Sequence, residues 1–351
     1  CVTADNKIVS GSNDHTVRVW DMQGKCLAVC RGHQGWVLSV CVTGDNKIVS
    51  GSSSFIEETI RVWDMQGKQL AVCWHIMDPS CVTADNKIVS ASRDNTLRVF
   101  DIQGNQLAVC QGHENWANSI CITTDNKIVS GSRDCTVRVF DMQGKQLAVC
   151  RGHERPVSSV CVTANNKIVS WSEDKTVRVF DMQGNELAVC RGHEKNLNSI
   201  CITTDNKIVS WSRDCTVRVW DMEGNQLAVC RGHESDITSV FVTADNKIVS
   251  GSIDKTVRVW DIEGNQLAVC RGHDSAACSV CVTGDNKIVS GSWDKTVRVW
   301  ETQKLTLLEK ALLASSASVE KSAAIWKLIQ KYSTGTEDTE NFSNELKALI
   351  P

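Results

Sequence analysis

The chain has 351 residues, with 38 Lys and Arg against 41 Asp and Glu, 18 Cys, 12 Trp and only 3 Pro. A net charge of −3 removes the electrostatic case for a dedicated nucleic-acid binder, which would carry a strong basic excess. No run of about 18 apolar residues and no charged start followed by an apolar stretch occurs, so neither a helical membrane span nor a signal peptide is expected.

From Cys1 onward the sequence is periodic. Asp5 to Ser10 read DNKIVS, and the same six residues return from positions 45, 85, 125, 205, 245 and 285, and as NNKIVS from Asn165. Eight copies of a 40-residue unit therefore fill residues 1 to 301. A fixed period of this size marks an array in which each unit buries its apolar faces only against its neighbours, which excludes eight separate domains. The second copy shows the unit well: WVLSVCV, KIVSGS, IRVW and QLAVC read as strands between residues 36 and 73. Asp-Asn-Lys joins the first two, and Asp64-Met65-Gln66-Gly67 joins the last two with a glycine for a left-handed turn position. QLAVC is apolar at nearly every position, which suits a sheet covered on both faces.

Most copies then carry Gly-His, a hydrophobic stretch and S-x-D-x-T-V-R-V-W-D or its Phe-Asp variant. Trp-Asp stands at 20, 63, 220 and 260, Phe-Asp at 100, 140 and 180, and Trp300-Glu301 ends the series. These residues resemble the WD-repeat β-propeller family. The resemblance implies an all-β propeller of four-stranded antiparallel blades over residues 1 to 301. Eight blades are expected, and seven is the alternative because the first copy keeps only CVT of its first strand. It also implies a buried hydrogen-bonded set in each blade: a His before the first strand, a Ser on the second, an Asp in the next turn and a Trp on the third. Carried over, the complete sets are His193, Ser212, Asp214, Trp220; His233, Ser252, Asp254, Trp260; and His273, Ser292, Asp294, Trp300. Phe140 and Phe180 have no N–H, so the sets begun by His113 and His153 should end at the serine. Glu57 stands in the Asp position after an insertion, and Trp74-His75 replaces Gly-His, so residues 53 to 80 are the expected soft sector.

Ser, His and Asp in one unit invite a hydrolase reading, but a catalytic triad is one constellation beside one pocket, and here the trio recurs as scaffold. The six Cys-x-x-His occurrences, from Cys30-His33 to Cys270-His273, lack a second half that would complete a tetrahedral zinc set. Cys278 and Cys281 lie at odd spacing on a strand and point to opposite faces. The cysteines follow the period, at 1, 41, 81, 121, 161, 201 and 281 and at 30, 73, 110, 150, 190, 230 and 270. They read as core filler kept free by a reducing compartment, so a cytoplasmic location is expected, with no catalytic residue, cofactor or metal. Arg18, Arg61, Arg98, Arg138, Arg178, Arg218, Arg258 and Arg298 fill one slot of the third strand and read as a repeated ion pair or packing contact.

The copies differ mainly in two windows, after Gly-His and around the Ser-x-Asp turn, which by the resemblance open on one face. Trp36, Trp116, Trp171, Trp211 and Trp293 fall there and are expected to be partly exposed, Trp171 and Trp211 as aromatic anchors. Arg93, Arg133, Arg155, Lys195, Arg213 and Asp236 vary in the same windows. Residues 302 to 351 break the period and have helical spacing, with Ile325, Leu328 and Ile329 on one face, and read as a helical cap or tail. The expected function is a non-enzymatic scaffold that binds a protein or peptide on one propeller face, with no nucleic-acid or membrane partner. A receptor for phosphorylated or acidic segments, as in ubiquitin-ligase substrate adaptors, is the alternative, and a propeller enzyme the second alternative.

Overall fold

The computed structural model describes residues 1–300 except 2, 4, 6, 22, 54–57, 75, 76 and 284–286, and describes 38, 53, 58, 74 and 77–80 by backbone only. Glu57, His75 and the C-terminal segment with Ile325, Leu328 and Ile329 lie outside the described residues, as does part of the expected soft sector.

Short Val- and Ile-rich runs between polar turns form antiparallel sheets. The first sheet has β1 (Ile8–Gly11), β2 (Thr16–Trp20) and β3 (Cys26–Arg31). The second has β4 (Trp36–Val42), β5 (Ile48–Ser53), β6 (Glu58–Trp63) and β7 (Gln69–Trp74). The third runs β8 (Met77–Val82), β9 (Ile88–Ala91), β10 (Leu97–Phe100) and β11 (Gln106–Cys110), and the fourth β12 (Ala117–Ile122), β13 (Ile128–Ser132), β14 (Val137–Phe140) and β15 (Gln146–Cys150). The fifth has β16 (Val157–Val162), β17 (Ile168–Ser172), β18 (Val177–Phe180) and β19 (Glu186–Cys190). The sixth has β20 (Leu197–Ile202), β21 (Ile208–Ser212), β22 (Val217–Trp220) and β23 (Gln226–Cys230). The seventh has β24 (Ile237–Val242), β25 (Ile248–Ser252), β26 (Val257–Trp260) and β27 (Gln266–Cys270), and the eighth only β28 (Ala277–Val282), β29 (Ile288–Ser292) and β30 (Val297–Trp300). Eight sheets decide the blade count for eight.

The hairpins follow from their turn residues. In the turn after β4, Thr43 Oγ1 accepts the Lys47 N–H at 2.8 Å and donates to Asp45 Oδ1 at 2.6 Å, while Asn46 takes φ 59°. The turn after β6 uses Asp64, whose Oδ1 accepts the Gln66 and Lys68 amides at 3.0 and 2.9 Å, and Gly67 at φ 87°. Asparagine serves in one turn because it tolerates the left-handed region, and glycine in the other because the turn also abuts the preceding sheet.

The chain divides into two compact units. One comprises Cys1–Ile202, Asn206–Ile208 and Trp220–Gln226; the other comprises Thr203–Asp205, Val209–Val219 and the described residues from Leu227 onward. Inside the first unit each sheet packs on the next by the same rule. Val129, Val137, Val139 and Cys150 of the fourth sheet meet Val157, Val160, Ile168 and Phe180 of the fifth. The second unit repeats it, with Val249, Val257, Val259 and Cys270 against Ala277, Val280 and Ile288. All 18 cysteines are free thiols. Burial pushes those of Cys110, Cys150 and Cys190 up to about 12, with a smaller contribution from a nearby aspartate, so they act as small apolar side chains. Among the described residues no helix is long and apolar enough to cross a membrane, and no group of three or more His, Cys, Asp or Glu is placed to hold a metal ion.

Gly184 sits at φ 92°, and a Cβ there would lie 2.7 Å from the Val149 carbonyl oxygen of the preceding sheet. Gly184→Ala should cost about 1–3 kcal/mol in chemical denaturation through strain and clash together. An unchanged midpoint would contradict this inter-sheet contact.

Candidate partner-binding face

The buried hydrogen-bonded set is built from strand geometry. On β25, Ser250 lies opposite Arg258 and Ile248 opposite Trp260, so the indole reaches back over one turn of pleat to the serine. Trp260 Nε1 donates to Ser250 Oγ at 2.8 Å, and His233 Nε2 meets the same oxygen at 2.8 Å. His233 Nδ1 lies 2.7 Å from Asp254 Oδ2. The eighth sheet repeats this with Trp300, Ser290, His273 and Asp294. The serine is thus two residues earlier than expected, and Ser252 and Ser292 are corrected to Ser250 and Ser290. Side chains two apart share a strand face, but Ser252 stands at the strand end, where its hydroxyl donates to Ser235 O at 3.0 Å and accepts the Asp254 N–H at 3.0 Å. Ser212 likewise accepts the Asp214 N–H at 3.0 Å. In the fourth and fifth sheets, His113 meets Ser130 at 2.7 Å and His153 meets Ser170 at 2.9 Å, with Phe140 and Phe180 edge-on to the imidazoles.

The same set fastens both variable windows. Asp134 Oδ2 takes His113 Nδ1 at 2.7 Å and the Glu114 N–H at 3.0 Å, just after Gly-His. Its Oδ1 takes the Thr136 N–H at 2.9 Å and hydroxyl at 2.6 Å, beyond the turn. Ser132 Oγ ties the turn back to Asn115 O at 2.8 Å. Burial works to raise the Asp134 carboxyl, but the hydrogen bonds from His113 and Thr136 outweigh it and hold it well below the usual carboxylate range. Asp174 and Asp254 are lowered in the same way by His153 and His233.

On this frame Trp116, 38% exposed, and Arg133 come together. The Arg133 N–H donates to the Trp116 carbonyl at 2.9 Å, and its guanidinium carbon lies 5.2 Å from the indole centroid. Arg133 Nε donates to Asn118 Oδ1 at 3.3 Å, and Asn118 Nδ2 donates to Val157 O of the next sheet at 2.9 Å. Asn118 escaped the sequence reading; its signal was that the second residue of the first strand also varies, as Ser158, Asn198, Thr238 and Cys278. In the first unit Trp36 is 57% exposed at the position matching Trp116, and Arg93, Arg155 and Lys195 are exposed. In the second unit Trp293 is 68% exposed, Arg213 is exposed, and Asp236 is half-buried, its backbone carbonyl accepting the Ile253 N–H at 3.0 Å.

Trp171 and Trp211 are not exposed. They retain 9% and 7% of their surface, and neither indole N–H meets an acceptor. Their position faces the next sheet rather than solvent: a Cβ at the matching Gly131 would lie 2.6 Å from Val157 Cγ1, and Trp171 packs in one cluster with Leu197. They are inter-sheet filler.

Comparison with known proteins agrees with the sheets. The family model of the WD domain, G-beta repeat, matches residues 1–21, 24–64, 104–141, 144–181, 184–221, 224–261 and 264–301. The chain belongs to the WD40 repeat family. Its fold is the all-β WD40 propeller type, whose members generally act as non-enzymatic scaffolds that bind proteins. The crystal structure of the computationally designed Ika8 protein is similar, at 32% identity and a TM-score of 0.72 over 85% of this chain and 94% of that one. The WD40 β-propeller domain of Doa1 shares the fold at 24% identity and a TM-score of 0.55, over 79% and 97%. No curated protein matches the chain.

Ser250→Ala should cost about 1–3 kcal/mol, because it orphans buried nitrogens, whereas Ser252→Ala at the turn should cost about 0.5–1.5 kcal/mol. Equal losses in parallel urea melts would contradict the assignment. The lowered carboxyls release their protons more readily folded than unfolded, so the stability they add is complete above their ordinary value of 3.8 and is lost as pH falls below it. Thermal midpoints of the wild type should fall steeply below about pH 4, and Asp134→Asn should flatten that fall.

Proposed function

We propose that the chain is a non-enzymatic scaffold that docks a protein or peptide on the face of its first unit carrying Trp36, Trp116 and Arg133. The observation that carries this reading is the fixed Arg133–Trp116 stack. An exposed indole and a guanidinium already held by Asn118 lose little freedom on binding, and Trp and Arg are the side chains that dominate interface energetics. Arg93, Arg155 and Lys195 extend the surface within this unit, while Arg213, Asp236 and Trp293 form the corresponding positions of the second. Trp171 and Trp211 are buried and do not offer their indoles to a partner.

One feature favours the acidic or phosphorylated segment as partner. With Nε engaged by Asn118, the two terminal nitrogens of Arg133 meet no acceptor among the described residues, which leaves a bidentate site for a carboxylate or phosphate. This is the chemistry that an adaptor for modified segments would use.

Binding to an array of peptides that are neutral, Glu- and Asp-rich, or phosphorylated tests both readings. Trp116→Ala with Trp36→Ala should weaken every captured peptide by about tenfold or more with little change in thermal midpoint. Arg133→Gln should weaken only the anionic ones. Unchanged capture by the double tryptophan variant would reject the docking face, and equal loss of neutral and anionic peptides in Arg133→Gln would reject the anionic reading.

A further inference from the structure

Seven copies of the repeat keep an intact Ser-x-Asp turn, and its middle residue is arginine in three of them, uncharged in three, and acidic only at Glu173. That one acid stands on the fifth sheet, directly after the sheet that carries Arg133. The two residues hold the same backbone seat. The Arg133 N–H donates to Trp116 O at 2.9 Å, and the Glu173 N–H donates to Pro156 O at 3.1 Å. Their turns are fastened alike, with Asp134 Oδ2 accepting the Glu114 N–H at 3.0 Å and Asp174 Oδ2 the Glu154 N–H at 3.1 Å.

A continuous path joins the two seats inside the first unit. Asn118 holds Arg133 Nε and reaches Val157 O on the fifth sheet, and Val157 lies opposite Ser172, the residue before Glu173. Packed sheets lie about 10 Å apart, so equivalent seats on the fourth and fifth are offset by about that step. The two side chains do not pair with each other. Glu173 is exposed, and its carboxylate meets no donor among the described residues, Arg155 and Lys175 of its own sheet included.

We propose, resting on the docking face described above, that the partner is a dipolar extended segment. It sets a carboxylate or phosphate on the terminal nitrogens of Arg133 and a lysine or arginine over Glu173, three residues away. In the polyproline II conformation common in unfolded chains, residues i and i+3 stand on one side about 9 Å apart, which matches the step between the sheets. Closer or wider spacings turn the second charge away or overshoot the carboxylate. A run of acids gains at Arg133 but is repelled at Glu173, which separates this partner from a polyacidic one.

Fluorescence anisotropy with labelled nine-residue peptides of Ala, Ser and Pro tests this, each carrying one phosphoserine and a lysine one, three or five residues away on either side. The three-residue spacing should bind the unaltered chain about three- to fivefold more tightly than the same peptide with alanine for lysine, and the other spacings should show no such gain. Glu173→Gln should erase the gain without weakening the alanine peptide, and Glu173→Lys should turn the lysine into a penalty. A gain that is equal at all spacings, or that survives Glu173→Gln, would overturn the proposal and leave the docking face standing. Binding that Trp36→Ala with Trp116→Ala leaves unchanged would overturn the docking face, and this proposal with it.

Discussion

The contact on which the most else depends is the aspartate carboxylate at the Ser-x-Asp turn. In the fourth sheet Asp134 receives His113 and the Glu114 amide on one oxygen and Thr136 on the other. Four donors around one carboxylate explain why burial fails to raise its proton affinity. They also tie together two stretches twenty residues apart in sequence. These stretches are the two windows in which the copies differ, so the repeated chemistry holds the variable chemistry in place.

From this follows a division of labour within each unit of 40 residues. The strands spend their apolar residues on inter-sheet clusters such as Val137 and Val139 against Val160 and Phe180, with buried thiols as filler. The imidazole, hydroxyl and carboxylate satisfy one another internally, which a buried polar group requires. What is left for a partner lies on the turns: an indole at 116, a guanidinium at 133 and the amide of Asn118 that links them to the next sheet.

Much of this was legible in the sequence because repetition makes copies comparable. The 40-residue period, the strand segments and the glycine at Gly67 follow from spacing and turn chemistry alone. The serine was misplaced by two residues because Ser250 and Ser252 share a strand face, and only three-dimensional reach decides which meets Trp260. Trp171 and Trp211 were misjudged for a related reason. Variation between copies signals surface only where the position faces solvent, and theirs faces the next sheet, where glycine and tryptophan are alternative ways to fill a gap. Asn118 was hidden because its value lies in a hydrogen bond to Val157 of the next sheet, about forty residues away.

The most direct test of the central claim is amide hydrogen exchange at Glu114 and Thr136 in the unaltered chain and in Asp134→Ala. If the carboxylate fastens the two windows, both amides should exchange at least about tenfold faster in the variant while β13 and β14 stay protected. Unchanged protection at both amides would contradict the account.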